Sequence, residues 1–295
     1  MSGVAILEEL RPRAFAVAYR MLGSVSEAED IVQEALLRLH LALRQGEQIA
    51  SPRAYLSTVV TRLCIDQLRS ARVRRERYVG EWLPEPLVDD GRSDPAHHAE
   101  VADSLSMAFL VLLESLTPEQ RAAFLLREVF DYPYAQIAAI IGTGEDNTRQ
   151  LVSRARRHVD AGRPRFEASP QRREQLARSF LAAVYDGDLH ALEELLAHDV
   201  VLHGDGGDRV RTIPRPVRGR AKVARLLLAG MRGAEAAGGW SIRQVQVNGQ
   251  PGAMASDAAG RLVAVMVLDI ADGLIHAVRS IVNPDKLRHL GRETS

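Results

Sequence analysis

The chain has 295 residues, 46% hydrophobic and 26% charged, with 38 basic residues against 38 acidic ones. That length predicts two or three domains with real cores, and its one cysteine, Cys64, excludes internal disulfides and cysteine zinc clusters. No apolar run reaches the roughly 20 residues of a membrane span, and Glu8, Glu9 and Arg11 interrupt any signal-peptide core, so a cytoplasmic protein is expected.

The zero net charge hides local imbalance. Residues 51–80 hold seven arginines against Asp66 and Glu76, residues 81–103 hold seven acids against Arg92, and residues 144–173 hold eight arginines against four acids. Screening confines each patch to about 10 Å, so local fields decide the partners. The basic stretches suit phosphate.

In chain order, apolar spacing over residues 5–22 predicts a first helix closed by Gly23. A second starts at Ser26, read as a capping box with Glu29, and turns Ala28, Ile31, Val32, Ala35, Leu36 and Leu39 inward. A third starts at Ser51-Pro52 and buries Leu56, Val59, Val60, Leu63 and Leu68, while its polar side carries arginines. After Gly80 the run Trp82-Leu83-Pro84-Glu85-Pro86 resists helix formation, and the acidic residues beyond it read as a linker.

Helices resume near Asp103 and again at Thr117-Pro118-Glu119-Gln120, which reads as cap, first-turn proline and reciprocal glutamine. A short helix over 135–141, a turn at Gly142 and Gly144, and a basic helix over 146–160 form a helix-turn-helix pattern. From Pro170 two helices (171–185 and 189–197) precede β-type runs at 200–203, 240–247, 252–255, 262–270 and 274–282, with one helix over 222–231 between them. This predicts an α+β domain with a curved antiparallel sheet partly wrapped by helices.

In the basic helix Thr148, Val152, Ala155 and Val159 share one face, leaving Asn147, Arg149, Gln150, Ser153, Arg154 and Arg157 for base edges and phosphates. A basic amphipathic helix is also simply a solvated face. The arginines from Arg69 to Arg77 next to Tyr78 and Trp82 suit single-stranded DNA, although both aromatics could equally dock onto protein. Asp30 and Glu34 line an acidic helix face with the apolar Leu37, which hints at a partner protein. Nucleotide-binding glycine loops, zinc-protease motifs and serine-hydrolase elbows do not occur, so ATP-driven and hydrolytic readings lose their usual support. His203, Asp205, Asp208 and His276 fall at strand ends and could converge in a cavity, where an Asp–His pair moves protons. Such residues more often make turns. His97-His98, in the linker, read as solvated.

Together these motifs resemble an extracytoplasmic-function (ECF) sigma factor, over about residues 5–160. The segment Ala28-Glu29-Asp30-Ile31-Val32-Gln33-Glu34-Ala35 is similar to the family's region 2.2, which docks on the clamp helices of the largest polymerase subunit. Pro52-Arg53-Ala54-Tyr55-Leu56 through Asp66-Gln67-Leu68-Arg69 resembles regions 2.3 and 2.4, and residues 117–157 resemble region 4. The resemblance implies core-polymerase contacts at Asp30, Gln33, Glu34 and Leu37. It implies −10 contacts at Arg53, Tyr55, Arg62, Arg69, Arg72 and Arg75, and −35 contacts at Asn147, Arg149, Gln150, Ser153, Arg154 and Arg157.

The remainder resembles a subgroup with a fused SnoaL-like domain of the NTF2-like fold. Its signatures stand at Trp82-Leu83-Pro84-Glu85-Pro86 and Asn283-Pro284-Asp285-Lys286-Leu287, and a D-G-G-G-K loop stands here as Asp205-Gly206-Gly207-Asp208-Arg209. This implies regulation in cis through Trp82, Pro84, Asp205, Asp208, Asn283, Pro284, Asp285 and Lys286, with Trp82 docking near the 283–287 tail, and no separate anti-sigma factor. The expected architecture is a helical sigma-2 domain (1–80), an acidic linker (81–102), a helical sigma-4 domain (103–165) and an α+β cone (170–295). The expected function is promoter-specific initiation without catalysis, cofactor or metal. A small-molecule sensor or enzyme with a DNA-binding output is the alternative.

Overall fold

The computed structural model describes residues 3–75, 78–89, 105–162 and 169–292. It divides into two compact units, Met1–Arg77 with Phe109–Arg163, and Tyr78–Ala108 with Pro164–Ser295. The two regions expected as separate sigma-2 and sigma-4 domains thus share one unit, and the start of the expected linker packs into the other.

In the helical unit α1 (Gly3–Leu22) stops at Gly23, whose φ of 65° lets its amide turn back to the Tyr19 carbonyl at 2.7 Å. The cap of α2 (Val25–Arg44) is Ser24 and not Ser26, because Ser24 is the residue in extended conformation and its hydroxyl accepts the Glu27 amide at 3.2 Å. Ser51 caps α3 (Pro52–Arg75) through the Ala54 amide at 3.2 Å, as its sequence predicts. Tyr19, Leu22, Ala28, Leu39, Val60 and Cys64 are buried among these three helices.

Next come α4 (Met107–Leu113) and α5 (Pro118–Glu128), the latter with the reciprocal Thr117–Gln120 capping box read from the sequence. Then α6 (Tyr134–Ile141) and α7 (Glu145–Gly162) meet at Gly142, left-handed at φ 72°. The predicted inner face of α7 is buried at Thr148, Val152, Ala155 and Val159.

Long-range polar contacts explain why the regions expected as two domains form one unit. Arg121, 2% exposed, donates to the Met21 carbonyl at 2.7 Å and to Glu114 at 2.8 Å. Burial pulls its pKa down to about 9, which leaves it a cation at neutral pH. Removing either partner would strand that charge, so the contact fixes α5 against the end of α1. The Tyr132 hydroxyl donates to Ser57 at 2.7 Å, and Arg13 and Arg20 lie 5.8 and 5.5 Å from the Phe130 ring centre.

The second unit opens with β1 (Val88–Asp89) and continues with α8 (Pro170–Asp186), α9 (Leu189–Leu195), β2 (Leu196–Asp205), β3 (Val217–Arg218) and α10 (Arg220–Ala236). It closes with β4 (Trp240–Val247), β5 (Gln250–Asp257), β6 (Leu262–Ala271), β7 (Leu274–Ile281) and α11 (Pro284–Leu287), followed by a 3-10 turn. The sheet order is β1-β4-β5-β6-β7-β2-β3. Four consecutive strands form the predicted meander, but β2 runs parallel to β7, so the sheet is mixed and not purely antiparallel. The second predicted helix also stops early, at Leu195, where the chain turns extended into β2. One core joins Phe180, Leu192, Val223 and Leu227 of the helices to Leu268, Ile275 and Val278 of the sheet. Among the described residues no helix is long and apolar enough to cross a membrane.

Candidate functional site

The outer face of α2 carries Asp30, Gln33, Glu34 and Leu37, all exposed. Glu34 pairs with Arg38 one turn on, at 2.7 Å. Leu37 is 51% exposed, and Leu41, absent from the sequence-based set, is 44% exposed one turn further along the same face. Two exposed leucines four residues apart form an apolar ridge that continues the face carrying Asp30 and Glu34, a pattern the helical spacing already contained.

On α3 Arg53 is exposed and Tyr55 half-buried. Arg62 instead donates to the carbonyls of Ile140 and Ala139 at 2.9 and 3.0 Å, capping the C-terminal end of α6. Arg69 binds Glu119 at 2.7 Å and Asp66 at 3.4 Å. Two side chains expected on DNA are therefore engaged within the helical unit. Arg72 and Arg75 fall on the last turn of α3, where side chains lie outside the described set.

The exposed face of α7 presents the whole expected group: Asn147, Arg149, Gln150, Ser153, Arg154 and Arg157. Asn147 bonds Thr143 at 2.7 Å, Arg157 reaches the Ser153 carbonyl at 3.5 Å, and Arg149 pairs with Glu145 and lies 4.5 Å from the Tyr134 ring centre. Arg154 makes no hydrogen bond or ion pair among the described residues. The contacts of this surface stay within α7, its neighbouring turn and Tyr134 of α6, and all six side chains remain exposed.

In the second unit the segment 78–89 forms a strap whose focus is Asp205, 0% exposed at the end of β2. Its Oδ1 accepts the Tyr78 hydroxyl at 2.5 Å, while Oδ2 accepts the Leu83 amide at 2.7 Å and the Lys286 ammonium at 2.6 Å. Lys286 also donates to the Leu83 carbonyl and sits 4.1 Å from the Trp82 ring centre and 5.0 Å from that of Tyr78. The buried carboxylate and ammonium thus pair with each other and with the strap backbone, the arrangement that compensates their loss of water. Burial, then the hydrogen bond to Asp205, push the Tyr78 hydroxyl above its ordinary pKa.

The surrounding signature residues fall into place for physical reasons. Asn283 caps α11 by accepting the Asp285 amide at 3.0 Å and donates to Tyr78 at 2.8 Å. Pro284 occupies the first helical position of α11. Gly207 has φ 58°, and a Cβ there would meet Asn283 at 2.7 Å, while one on Gly206 would meet the Val210 carbonyl at 2.0 Å. Pro84 is buried, and β1 extends the sheet beside β4. Asp285 stands outside the lock, paired with Arg209 and Arg288 at 3.2 and 2.7 Å. Asp208 is exposed on the loop and takes no part in the buried cluster.

Tyr78 and Trp82 thus dock onto protein in this structure, and the expected single-strand stacking platform is not formed by them. The expected convergence of His203, Asp205, Asp208 and His276 does not occur either. Asp205 is consumed in the lock, Asp208 faces solvent, and His276 sits within β7 with a buried Nε2. His203 pairs instead with Glu81 of the strap at 2.7 Å, a partner that spacing along the chain could not reveal. His97-His98 lie outside the described residues.

Comparison with known proteins accounts for nearly all of the chain. A Sigma-70 region 2 profile matches residues 6–74, a Sigma-70 region 4 profile matches 106–159, and a SnoaL-like domain profile matches 177–278. The chain is 40% identical to the ECF RNA polymerase sigma factor SigJ of Mycobacterium tuberculosis, over 96% of this chain and 92% of that protein. It is 34% identical to the probable ECF sigma factor SigI of the same organism, over 95% and 94%. The crystal structure of SigJ superposes with a TM-score of 0.76 at 36% identity, covering 97% of this chain and 98% of that one. With both sigma-70 regions in order and a SnoaL-like domain behind them, the chain belongs to the ECF RNA polymerase sigma factors.

Proposed function

We propose that the chain grips core RNA polymerase through Asp30, Gln33, Glu34 and Leu37, extended by Leu41, and reads the −35 element with α7. On this reading α3 holds the opened −10 strand, and the C-terminal unit regulates both steps in cis in the cytoplasm, without catalysis or a separate anti-sigma factor. The observation that carries the regulatory part is the buried Asp205–Lys286 lock. It holds a strap that follows α3 directly in the chain, so the regulatory unit is covalently tethered to the −10 helix.

Arg62 and Arg69 fit this reading as exchangeable contacts. Each is exposed; the Arg69–Glu119 surface ion pair contributes only about 0–1 kcal/mol, and Arg62 is held by two neutral backbone carbonyls without a carboxylate. A phosphate backbone that gathers several arginines at once therefore competes well for them.

Run-off transcription with purified core polymerase tests the proposal. Asp30→Ala combined with Glu34→Ala should abolish core association without changing circular dichroism, and retained core binding would overturn the placement of the polymerase surface. Trp82→Ala and a chain ending before Asn283 should shift transcription in the same direction, with little added by combining them. Fully additive effects would overturn the shared contact.

A further inference from the structure

The C-terminal unit contains a cavity of about 350 Å³ that the lock does not use. Strand register explains the hollow. Ile242, Ala255 and Ala264 form one row across β4, β5 and β6, and Ala253, Met266 and Ser280 form another across β5, β6 and β7. Three alanines at the centre of the sheet leave unfilled the space that larger side chains would occupy. Helices α8 and α10 contribute Leu181, Val184, Leu227 and Met231, while Gly230 and the 38%-exposed Leu226 mark a mouth beside α10.

The lining selects a chemistry. Among the described residues the lining contains no lysine, arginine or carboxylate, so an ionised guest would lose its hydration without a counter-charge. Trp240, Met231 and Met266 supply flat and polarisable surface suited to a ring system. The polar groups in the wall are His203, Thr212 and Ser280. His203 is oriented by Glu81, whose Oε1 lies 2.7 Å from Nδ1, and Nε2 has no hydrogen-bond partner among the described residues. A half-buried imidazole held on one nitrogen by a carboxylate presents the other to a guest as a hydrogen-bonding atom.

We propose that this cavity binds an uncharged, largely apolar ring compound bearing one hydroxyl or carbonyl oxygen, with that oxygen bonded to His203. Its volume lies at the small end of the roughly 300–1,000 Å³ range of small-molecule sites. The binding readout is independent of transcription, so failure of this site and failure of the sigma-factor reading are distinguishable.

The test titrates the full chain with 2-naphthol and with naphthalene, followed by ligand-observed NMR. Gly230→Phe is the blocking variant: Gly230 lines the mouth, a Cβ there meets nothing within 4 Å, and its φ is not in the left-handed region, so the backbone accepts a side chain at the entrance. Wild-type protein should bind one molecule of either probe per chain, and Gly230→Phe should weaken both by about tenfold or more. His203→Leu should weaken 2-naphthol by about tenfold while leaving naphthalene nearly unchanged. No binding by the wild type, or binding untouched by Gly230→Phe, would overturn the site. Equal effects of His203→Leu on both probes would overturn the anchor.

Discussion

At Asp205 a carboxylate with no exposed surface is enclosed by Tyr78, Leu83 and Lys286, whereas at Glu119 a carboxylate 34% exposed is held by an Arg69 side chain 61% exposed. Both join segments far apart in sequence. In the first case water is excluded and each charge depends on the other, so the contact behaves as part of the core. In the second, water and salt compete throughout, so the contact can be exchanged for another anion at little cost. Burial separates a structural lock from a releasable contact.

The largest expected effect breaks the lock. Asp205→Ala leaves Lys286 buried without its anion and should cost roughly 3–5 kcal/mol, measured by denaturant unfolding of the full chain. A loss below about 1 kcal/mol would place Asp205 in the same class as Glu119.

Arg154 carries the comparison to its exposed extreme, a side chain with no partner among the described residues. Arg154→Ala should weaken promoter binding by roughly 1–3 kcal/mol, with stability unchanged. Fluorescence anisotropy at two salt concentrations checks this, since a phosphate contact also lowers the salt slope by about one. Arg149→Ala should fall toward the lower end of that range, because Arg149 must first leave Glu145 and Tyr134.

Glu119→Gln, the counterpart at the exposed site, should change stability by less than about 1 kcal/mol. Its informative readout is DNA: a freed Arg69 should raise affinity for single-stranded −10 DNA. Unchanged affinity would mean that Arg69 does not exchange.

The smallest effects are in pH, and they have opposite signs at the two sites. Burial and the Asp205 bond raise the Tyr78 pKa, so the folded chain keeps the phenolic proton to higher pH than the unfolded chain does. That contribution is complete below the ordinary phenol value and is lost as pH rises through the raised one. At Glu119 burial would raise the pKa, but the Arg69 hydrogen bond, its own backbone bond and the Arg69 charge outweigh it and hold the carboxyl below its usual value. That contribution is present above the ordinary carboxylate value and fades as pH falls through the depressed one. Stability profiles of Tyr78→Phe and Glu119→Gln should therefore lie below wild type near neutral pH and converge on it at the alkaline and acid ends respectively.

Local chemistry was well read where a few adjacent residues decide the outcome. The Thr117–Gln120 box, the left-handed Gly142 and the buried face of α7 each depend on contacts within one or two turns, and all three are present. The cap of α2 was misplaced by two residues because Ser24 and Ser26 are chemically equivalent, and backbone conformation chose between them. The docking of Trp82 near the 283–287 tail followed from the family resemblance, and the structure supplies its cause: a stiff, proline-flanked strap over a buried ammonium.

What the sequence determined by itself was the order of helices and strands, the inner face of the −35 helix candidate α7, and the exposed residues proposed to face DNA and polymerase. Those properties follow from periodicity and capping, which act over a few residues. Tertiary structure alone decided the parallel pairing of β2 with β7, the capture of Arg62 and Arg69 by α6 and Glu119, and the meeting of Glu81 with His203. These contacts join residues 50 to 122 positions apart. A hydrogen bond spanning such a distance depends on how whole elements pack, and that is set by the sum of many buried contacts and by no local pattern.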